Sequence, residues 1–338
     1  MRPLLFSLCL LAAASSFMTL ARAGEPAAAQ PAAKPFELLD GDRVVFLGGT
    51  FFDREAKWGY IETALTSRFP DRNVTFRNLG YAGDTVRCEA RTVCEGWANF
   101  GPPEEGFDRL KRLITEIKPT VVFIAYGMGE SFEGEKALPQ FVADYNKLLD
   151  MLTEASGAKP RFVLVGPNYH EDLGRPMPDP AEHNKLLKAY CGAIESLAAE
   201  RGARYIDLFS RLNAGKAERL TDDGIQLTPS GYIRAAGAVL AGLGDTASEA
   251  ASKSGTVADA RTEPLRLLIV AKNANFFNYW RHENDTYTLG YRKHEQGKNA
   301  VEFPEFVKLT EEKDKEIAAL RAQLAPELRL QRDEKPGK

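Results

Sequence analysis

Side chains capable of nucleophilic or acid–base chemistry follow several short apolar segments of the sequence. Thr50 follows the first such segment, and His170 follows the fourth. Asp223 and Gln226 stand just before the last helical segment. A hydroxyl becomes an effective nucleophile only when a neighbouring base takes its proton. Thr50 is therefore a candidate nucleophile, provided that the fold brings a base to it.

Five apolar segments alternate with helical segments between Arg43 and Leu243. Continuous apolar strands alternating with helices are typical of a parallel sheet covered on both faces. We expect strands at Arg43–Leu47, Asn73–Asn78, Thr120–Tyr126, Arg161–Val165 and Arg204–Leu208, and helices at Gly59–Arg68, Phe107–Ile117, Leu138–Glu154, Ala181–Arg201 and Ser230–Leu243. The sequence thus predicts an α/β fold, a three-layer α/β/α sandwich with a five-stranded parallel sheet. Ligands bind beyond the carboxyl ends of such strands, where the candidate residues lie.

Four blocks at these strand ends resemble the SGNH (GDSL-type) hydrolase superfamily, over about two hundred residues. The blocks are Gly48-Gly49-Thr50, then Gly80, then Gly127-Met128-Gly129-Glu130, and finally Asp223 with Gln226. The resemblance implies an SGNH/flavodoxin-like fold and ester hydrolysis, often on acyl groups of carbohydrates or lipids. The surrounding sequence is also similar to an exported planctomycete-type subgroup, in which the first block often departs from Gly-Asp-Ser.

The resemblance implies a role for each matching residue, and three of them depart from the family pattern. Thr50 stands where the family has its nucleophilic serine, and Gln226 stands where it has the histidine base. Gly129 replaces an asparagine donor of the oxyanion hole. Gly80 and Asp223 keep the family's residue types, as an oxyanion-hole glycine and the catalytic acid. The implied oxyanion hole comprises Thr50, Gly80 and Gly129.

These replacements predict that the usual Ser-His mechanism is impaired or lost. A glutamine amide has no useful basicity, and the methyl group of threonine restricts its rotamer and crowds the attack path. Loss of a triad member lowers the rate by roughly 10⁴–10⁶, and loss of one oxyanion donor adds about 2.7–4 kcal/mol to the barrier. Thr50 then acts as a turn residue that satisfies backbone N–H groups. The alternative function is a non-catalytic module that binds a carbohydrate or a protein through the same cleft.

His170 is the one substitute base that we derive from the sequence. It follows the fourth strand and therefore shares a rim with Thr50, where Glu130, Asp84 or Glu171 would orient its ring. The alternative is a rim histidine that is hydrogen-bonded to a neighbouring loop.

Composition argues against several other function classes. The 338 residues include 44 Lys and Arg against 47 Asp and Glu, a net charge of −3, without a long basic run. Nucleic-acid binding therefore has little support. Four histidines and four cysteines leave little room for a zinc or iron–sulfur site. We expect no cofactor, no metal and no nucleic-acid partner, and a small-molecule or carbohydrate ester as the ligand.

The N-terminus has the pattern of a signal peptide at residues 1–23. Arg2 precedes a short apolar run, and Ala21-Arg22-Ala23 forms a cleavage site before an Ala/Pro-rich tether at residues 24–36. A buried first helix or a membrane anchor is the alternative. Export to the periplasm or the medium is expected, with no membrane span after removal of the signal peptide, because no long apolar run follows.

Beyond the main domain, expected at residues 37–243, the composition changes. Residues 244–262 are rich in Ala, Ser, Thr and Gly, which indicates a linker or surface loop. Residues 263–326 are too few for an independent core, so we expect a helical extension that packs on the main domain. Its charged helix, at residues 304–324, has one apolar face that suits a protein partner. Residues 327–338 are expected to be disordered.

An oxidising compartment favours pairing of the thiols that remain after export. Cys88 and Cys94 lie in one loop-like stretch, so we expect a disulfide between them, with two free buried thiols as the alternative. Cys191 lies in an apolar helical stretch and is expected in the core.

Overall fold

Five parallel strands form the centre of the protein, as the sequence predicts. The computed structural model describes residues 35–92, 103–213, 218–245, 259–281, 285–288, 292, 294–295 and 301–333. The strands are β1 (Arg43–Gly48), β2 (Thr75–Gly80), β3 (Val121–Ala125), β4 (Arg161–Val165) and β5 (Arg204–Ile206), in the order β2-β1-β3-β4-β5. All neighbouring pairs are parallel, which confirms the predicted α/β sheet.

The continuous apolar character of the strands follows from burial on both faces of the sheet. In β1, Val44 and Phe46 pack into one core layer, whereas Val45 and Leu47 pack into the other. The covering helices are α1 (Thr50–Trp58), α2 (Tyr60–Arg68), α3 (Pro103–Ile117), α4 (Leu138–Ala155), α5 (Ala181–Arg201), α6 (Leu208–Leu212) and α7 (Pro229–Gly242). Successive strand residues point to opposite faces, so each strand needs apolar residues at every position.

Helix α1 begins at Thr50, for which the sequence predicted a turn residue and no helix. Gly49 precedes this first turn, and Gly59 in the left-handed conformation separates α1 from α2. The helical pattern was missed because α1 buries only Phe52 and Glu55, and one of these is a carboxyl. As a consequence, Thr50 lies at a helix N-terminus directly after β1.

The described residues of the C-terminal extension form three helices: α8 (Glu263–Trp280), α9 (Asp285–Thr288) and α10 (Phe303–Asp333). Helix α8 packs on α1, α2 and β2, and α10 packs on α8. A buried ion pair anchors α8, since Lys272 Nζ lies 2.5 Å from Glu62 Oε1. Burial raises the pKa of Glu62 and lowers that of Lys272. The extension therefore packs on the main domain through a desolvated charge pair as well as apolar contacts.

The sequence predicted a disordered C-terminal tail and an N-terminal signal peptide. The tail predicted to be disordered from residue 327 is helical through Asp333, because α10 continues past Pro326 and packs Ala325 and Leu328. The predicted signal peptide and nearly all of the tether lie outside the described residues. Within the described part of the chain, no helix is both long and apolar enough to cross a membrane.

Of the cysteine predictions, the structure confirms the one for Cys191. Cys191 is buried in α5, as expected for a core residue. Cys88 is buried. Its predicted disulfide partner, Cys94, lies outside the described residues, so the disulfide stays a prediction. Burial among apolar neighbours raises the pKa of the Cys88 thiol.

A buried carboxyl, Glu55, supports the turn between α1 and α2. Its Oε1 accepts the backbone N–H groups of Ile61 at 2.6 Å and Glu62 at 3.3 Å. Burial raises its pKa from 4.5 to about 8, although these hydrogen bonds act in the opposite direction. Its contribution to folding stability is therefore fully present below about pH 4.5 and is lost as the pH rises through 8.

We predict that Glu55→Gln removes this pH dependence. The amide oxygen keeps the acceptor role, and no charge has to be desolvated at high pH. The variant should exceed the natural protein in free energy of unfolding at pH 9 by on the order of 2–4 kcal/mol, and by little at pH 5. Urea denaturation at both pH values measures this, with Glu182→Gln on the exposed face of α5 as the control. An equal gain at pH 5 and pH 9 would contradict the assignment.

Candidate active site

A cavity of about 150 Å³ opens at the carboxyl ends of the strands. It lies where the sequence analysis placed the chemistry, between the loops that follow β1, β2, β3 and β4 and the loop that precedes α7. Its lining is mostly apolar, with few polar groups. The lining residues are Gly49, Thr50, Phe51, Arg54, Gly83, Asp84, Ala125, Tyr126, Gly127, Met128, Gly129, Glu130, Gly166, Pro167, Asn168, Leu208, Ile225, Gln226, Leu227 and Tyr232.

Thr50 lines this cavity from the first turn of α1. Its Oγ1 accepts a hydrogen bond from the backbone N–H of Gly83 at 3.2 Å. Gly83 has a φ of +75°, in the left-handed region that glycine adopts without strain. The first two strand ends thus bring a hydroxyl and a backbone donor together at the cavity wall.

Gly83, and not the predicted Gly80, is the glycine of the second block that reaches the cavity. The N–H of Gly80 donates instead to Asn78 Oδ1 at 2.8 Å, and Gly80 is not among the lining residues. A Cβ on Gly80 would lie 2.2 Å from the Asp53 backbone nitrogen. Gly80 is therefore required for close packing of β2 against α1, and the structure does not bring it to the cavity.

The third block lines the cavity as predicted. Gly129 has right-handed helical dihedrals, and a Cβ built on it meets no atom within 4 Å. Glu130 is buried and shapes the loop, because its carboxylate accepts the N–H of Gly127 at 2.9 Å and that of Val86 at 3.0 Å. Burial raises the pKa of Glu130 despite these bonds. The side-chain position at residue 129 is therefore open to the cavity.

Gln226 also lines the cavity, and a guanidinium holds its amide. Arg54 Nη1 donates to Gln226 Oε1 at 2.5 Å, and Arg54 Nη2 lies 2.5 Å from Asp222 Oδ2. Asp223 has a structural contact of its own, since its Oδ1 accepts the N–H groups of Ile225 at 3.0 Å and Gln226 at 2.8 Å. The Asp223 carboxylate thus fixes the loop before α7, and the Arg54 guanidinium binds two of its side chains.

His170 does not line the cavity, so the structure does not support it as a base for Thr50. Its Nδ1 lies 2.9 Å from His183 Nδ1, and His183 Nε2 lies 2.7 Å from Ser131 Oγ. Burial lowers the pKa of both imidazoles, that of His183 to about 4, while the Asp223 carboxylate partly offsets this at His170. His170 is a rim histidine bonded to a neighbouring helix, which was the alternative interpretation.

The carboxylates expected to orient His170 are committed elsewhere. Asp84 pairs with Arg91 at 2.7 Å, and Glu130 binds backbone N–H groups. Glu171 accepts from the N–H and the hydroxyl of Thr221 at 2.8 and 2.5 Å. Each of these carboxylates therefore fixes a loop. The His170 ring has its hydrogen bond with His183 instead.

The sequence profile of the GDSL-like Lipase/Acylhydrolase family matches residues 41–234, which include the whole sheet and every loop around the cavity. The chain belongs to this family. The match spans more than half of the chain and ends before the C-terminal extension. No curated protein matches the chain.

Three solved structures are similar to this GDSL-family chain at low identity. BT4096, a gut microbial diltiazem-metabolizing enzyme, is 20% identical with a TM-score of 0.48, covering 62% of this chain and 48% of its own. LAE5, an alpha/beta hydrolase from the Lake Arreo metagenome, is 19% identical with a TM-score of 0.46, covering 61% and 97%. Axe2, an acetylxylan esterase from Geobacillus stearothermophilus, is 17% identical with a TM-score of 0.46, covering 62% and 97%.

The extension beyond the family match contacts the elements that carry Thr50 and Gly83. Arg281, at the end of α8, lies 2.5 Å from the Asp53 carboxylate in the first turn of α1. Its guanidinium also lies 3.7 Å from the centroid of the Tyr81 ring, two residues before Gly83. The extension therefore supports both sides of the Thr50–Gly83 contact.

Sequence reasoning missed Gly83 and Arg54. The second block contains two glycines three residues apart, and the sequence alone did not show which one faces the cavity. Arg54 follows Thr50 by four residues, the spacing that places two side chains on one helix face. That spacing became informative only once a helix was known to begin at Thr50.

We predict that Gly224→Ala destabilises the loop before α7, whereas Gly129→Ala does not. A Cβ on Gly224, where φ is +97°, would lie 2.8 Å from the His170 ring. We expect a loss of on the order of 1–3 kcal/mol in the free energy of unfolding. Gly129→Ala, with an open Cβ position, should stay within about 0.5 kcal/mol. Urea denaturation of both variants decides this, and equal stabilities would show that His170 lies elsewhere.

Proposed function

We propose that this chain is an exported GDSL-family protein whose cleft binds an acyl ester and hydrolyses it slowly or not at all. The observation that carries the proposal is the composition of the cavity wall. Among its described lining residues there is a hydroxyl at Thr50 and a donor at Gly83, but no imidazole. Where the family places its base, the cleft has the Gln226 amide, held by Arg54.

The cleft retains features that favour binding of an ester carbonyl. The N-terminus of α1 provides a positive dipole end beside Thr50, and the Gly83 N–H, which donates to Thr50 Oγ1 here, lies next to it. The lining is largely apolar and about 150 Å³ in volume, which suits a small acyl group. Acyl groups of carbohydrates or lipids are therefore the proposed ligand class.

The cleft lacks the step that activates a nucleophile. The Arg54 guanidinium, which is always protonated, lies beside Gln226 and cannot accept a proton. The amide of Gln226 has no useful basicity either, so the Thr50 hydroxyl keeps its proton. Binding through the remaining donors is thus favoured over turnover.

A non-catalytic carbohydrate- or protein-binding module is the second candidate. The Arg54–Gln226–Asp222 contacts favour it, because they fix the amide in a geometry that suits ligand hydrogen bonds. The apolar face of α10 that suited a protein partner, formed by Ile317, Leu320 and Leu324, packs on α8 instead. A protein partner for α10 would therefore contact its exposed Leu309 and Leu330. Export is proposed from the N-terminal sequence pattern alone.

We predict that Thr50→Ser combined with Gln226→His raises hydrolysis of p-nitrophenyl acetate by roughly 10²-fold or more. Each change alone should have little effect, since nucleophile and base act as a unit. Adding Gly129→Asn should raise the rate further, because the open position at residue 129 accommodates the oxyanion donor. An added Arg54→Met change should raise the rate further, because it removes a positive charge that disfavours protonation of the introduced histidine.

The control variant is His170→Ala. If the natural protein already hydrolyses the ester and this change abolishes the activity, the proposal is wrong and His170 is the base. A fluorophosphonate probe should label the Thr50→Ser, Gln226→His variant at residue 50 and leave the natural chain unlabelled. Labelling of natural Thr50 would likewise contradict the loss of the Ser-His mechanism.

A further inference from the structure

Two side-chain amides line the cavity of the candidate active site, and each is held at one end only. Arg54 donates to Gln226 Oε1 at 2.5 Å, and a guanidinium cannot accept, so the oxygen of Gln226 is the held end. Asn168 Nδ2 donates to the carbonyls of Tyr169 at 3.1 Å and Ile225 at 3.0 Å, so the NH₂ of Asn168 is the held end. The free ends are therefore an NH₂ donor at Gln226 and an oxygen acceptor at Asn168.

Both free ends are accessible to a ligand. Gln226 Nε2 and Asn168 Oδ1 have no hydrogen-bond partner among the described residues, and neither belongs to the unpartnered polar atoms that the fold closes off from solvent. Asn168 is 5% exposed and lines the cavity. A polar atom in a mostly apolar wall is satisfied only by water or by a ligand that carries the matching group.

The donor and the acceptor belong to two different sides of the cavity. Arg54 holds the Gln226 amide next to α1, which follows β1, whereas Asn168 follows β4. Strand β3 lies between β1 and β4, so two strand spacings of about 4.8 Å separate these strand ends. A secondary amide is planar and trans, with its N–H and C=O pointing in opposite directions. One such group can therefore bond to both side chains at once.

An acetamido group matches these side chains better than an acetyl ester does. Its carbonyl accepts from Gln226 Nε2, and its N–H donates to Asn168 Oδ1. An ester has no N–H, so its alkoxy oxygen would leave the Asn168 acceptor unpaired, which is costly at a buried position. The cavity volume of about 150 Å³ accommodates the acetyl group and leaves the rest of the ligand outside.

An exposed aromatic ring beside the cavity favours a sugar as the rest of the ligand. Phe132 is 62% exposed, and its N–H donates to the carbonyl of the lining residue Gly129 at 3.2 Å. Its ring stacks on that of His183 at a centroid distance of 4.0 Å, and hydrogen bonds with Ser131 and His170 hold His183 in place. The C–H groups of a sugar ring suit the negative face of such an aromatic ring.

We propose that the cavity binds the acetamido group of an N-acetylated amino sugar between Gln226 and Asn168, with the sugar ring against Phe132. The inference rests on the proposed function in one respect, namely that this cleft binds an acyl group. It places that acyl group on nitrogen and not on oxygen, and it makes Asn168 and Phe132 specificity-determining residues. Binding of this kind needs no base and no covalent step.

A matched pair of sugars tests the proposal in the full chain. Methyl 2-acetamido-2-deoxy-β-glucopyranoside and methyl 2-O-acetyl-β-glucopyranoside differ only in N–H against O. An NMR titration, followed at the backbone N–H signals of Gly83 and Gln226, should show the acetamide binding at least about tenfold more tightly. Equal affinities, or shifts confined to other parts of the protein, overturn the proposal and leave the proposed function standing. If neither sugar shifts these signals, the proposal is wrong, and ethyl acetate in the same titration decides the proposed function.

Gln226→Glu and Asn168→Leu test the two hydrogen bonds. Gln226→Glu keeps an oxygen for Arg54 and replaces the free donor by an acceptor, so it should weaken binding of both sugars by about tenfold or more. Gln140→Glu, the same change on the exposed face of α4, is the control. Asn168→Leu should remove the preference for the acetamide over the ester. A preference that persists in Asn168→Leu overturns the proposal, and if this variant does not fold, the sugar pair decides alone.

Phe132→Ala tests whether the acetamide belongs to a sugar. The variant should bind the acetamido sugar several-fold more weakly and bind N-methylacetamide, which has no ring, as the natural protein does. An unchanged affinity for the acetamido sugar, or an equal loss for both ligands, overturns the assignment of Phe132.

Discussion

The carboxylate of Asp84 is the group on which the geometry of the cleft depends. It is fully buried and accepts hydrogen bonds from the Arg91 guanidinium at 2.7 Å and from the Tyr126 hydroxyl at 2.8 Å. Asp84 directly follows Gly83, and Tyr126 directly follows β3. One carboxylate thus links the loop after β2 to the end of β3, across the end of β1 that lies between them, and a buried charge of this kind is stable only with such partners.

The same carboxylate connects the cleft to the C-terminal extension. The Arg91 guanidinium lies over the rings of Tyr81 and Trp280, at 5.4 and 5.6 Å from their centroids. Arg281 adds an ion pair with Asp53, close to Thr50. The family match ends at residue 234, so Trp280 and Arg281 lie outside it, whereas the residues that they contact lie within it.

The sequence predicted the sheet well because each strand is buried on both faces and therefore reads as a short apolar run. It did not predict α1, because a helix that buries a glutamate such as Glu55 has no clear apolar period. The candidate site was predicted in part. Thr50, Gly129 and Gln226 line the cleft, whereas Gly80 is a packing residue and His170 pairs with another histidine. These two differences between expectation and structure have one cause, since backbone direction at a turn and ring orientation at a rim depend on tertiary contacts.

The Glu62–Lys272 pair has a consequence for how much of this chain can exist by itself. Lys272 Nζ also donates to the Phe76 carbonyl at 3.1 Å, on β2, which is the outer strand of the sheet. A chain that ended after α7 would leave Glu62 in an apolar pocket without its cation and would uncover the free side of β2. Open strand edges pair readily with other chains. Truncation at the end of the family match would therefore leave a buried carboxyl without its cation and an outer strand without its covering helix.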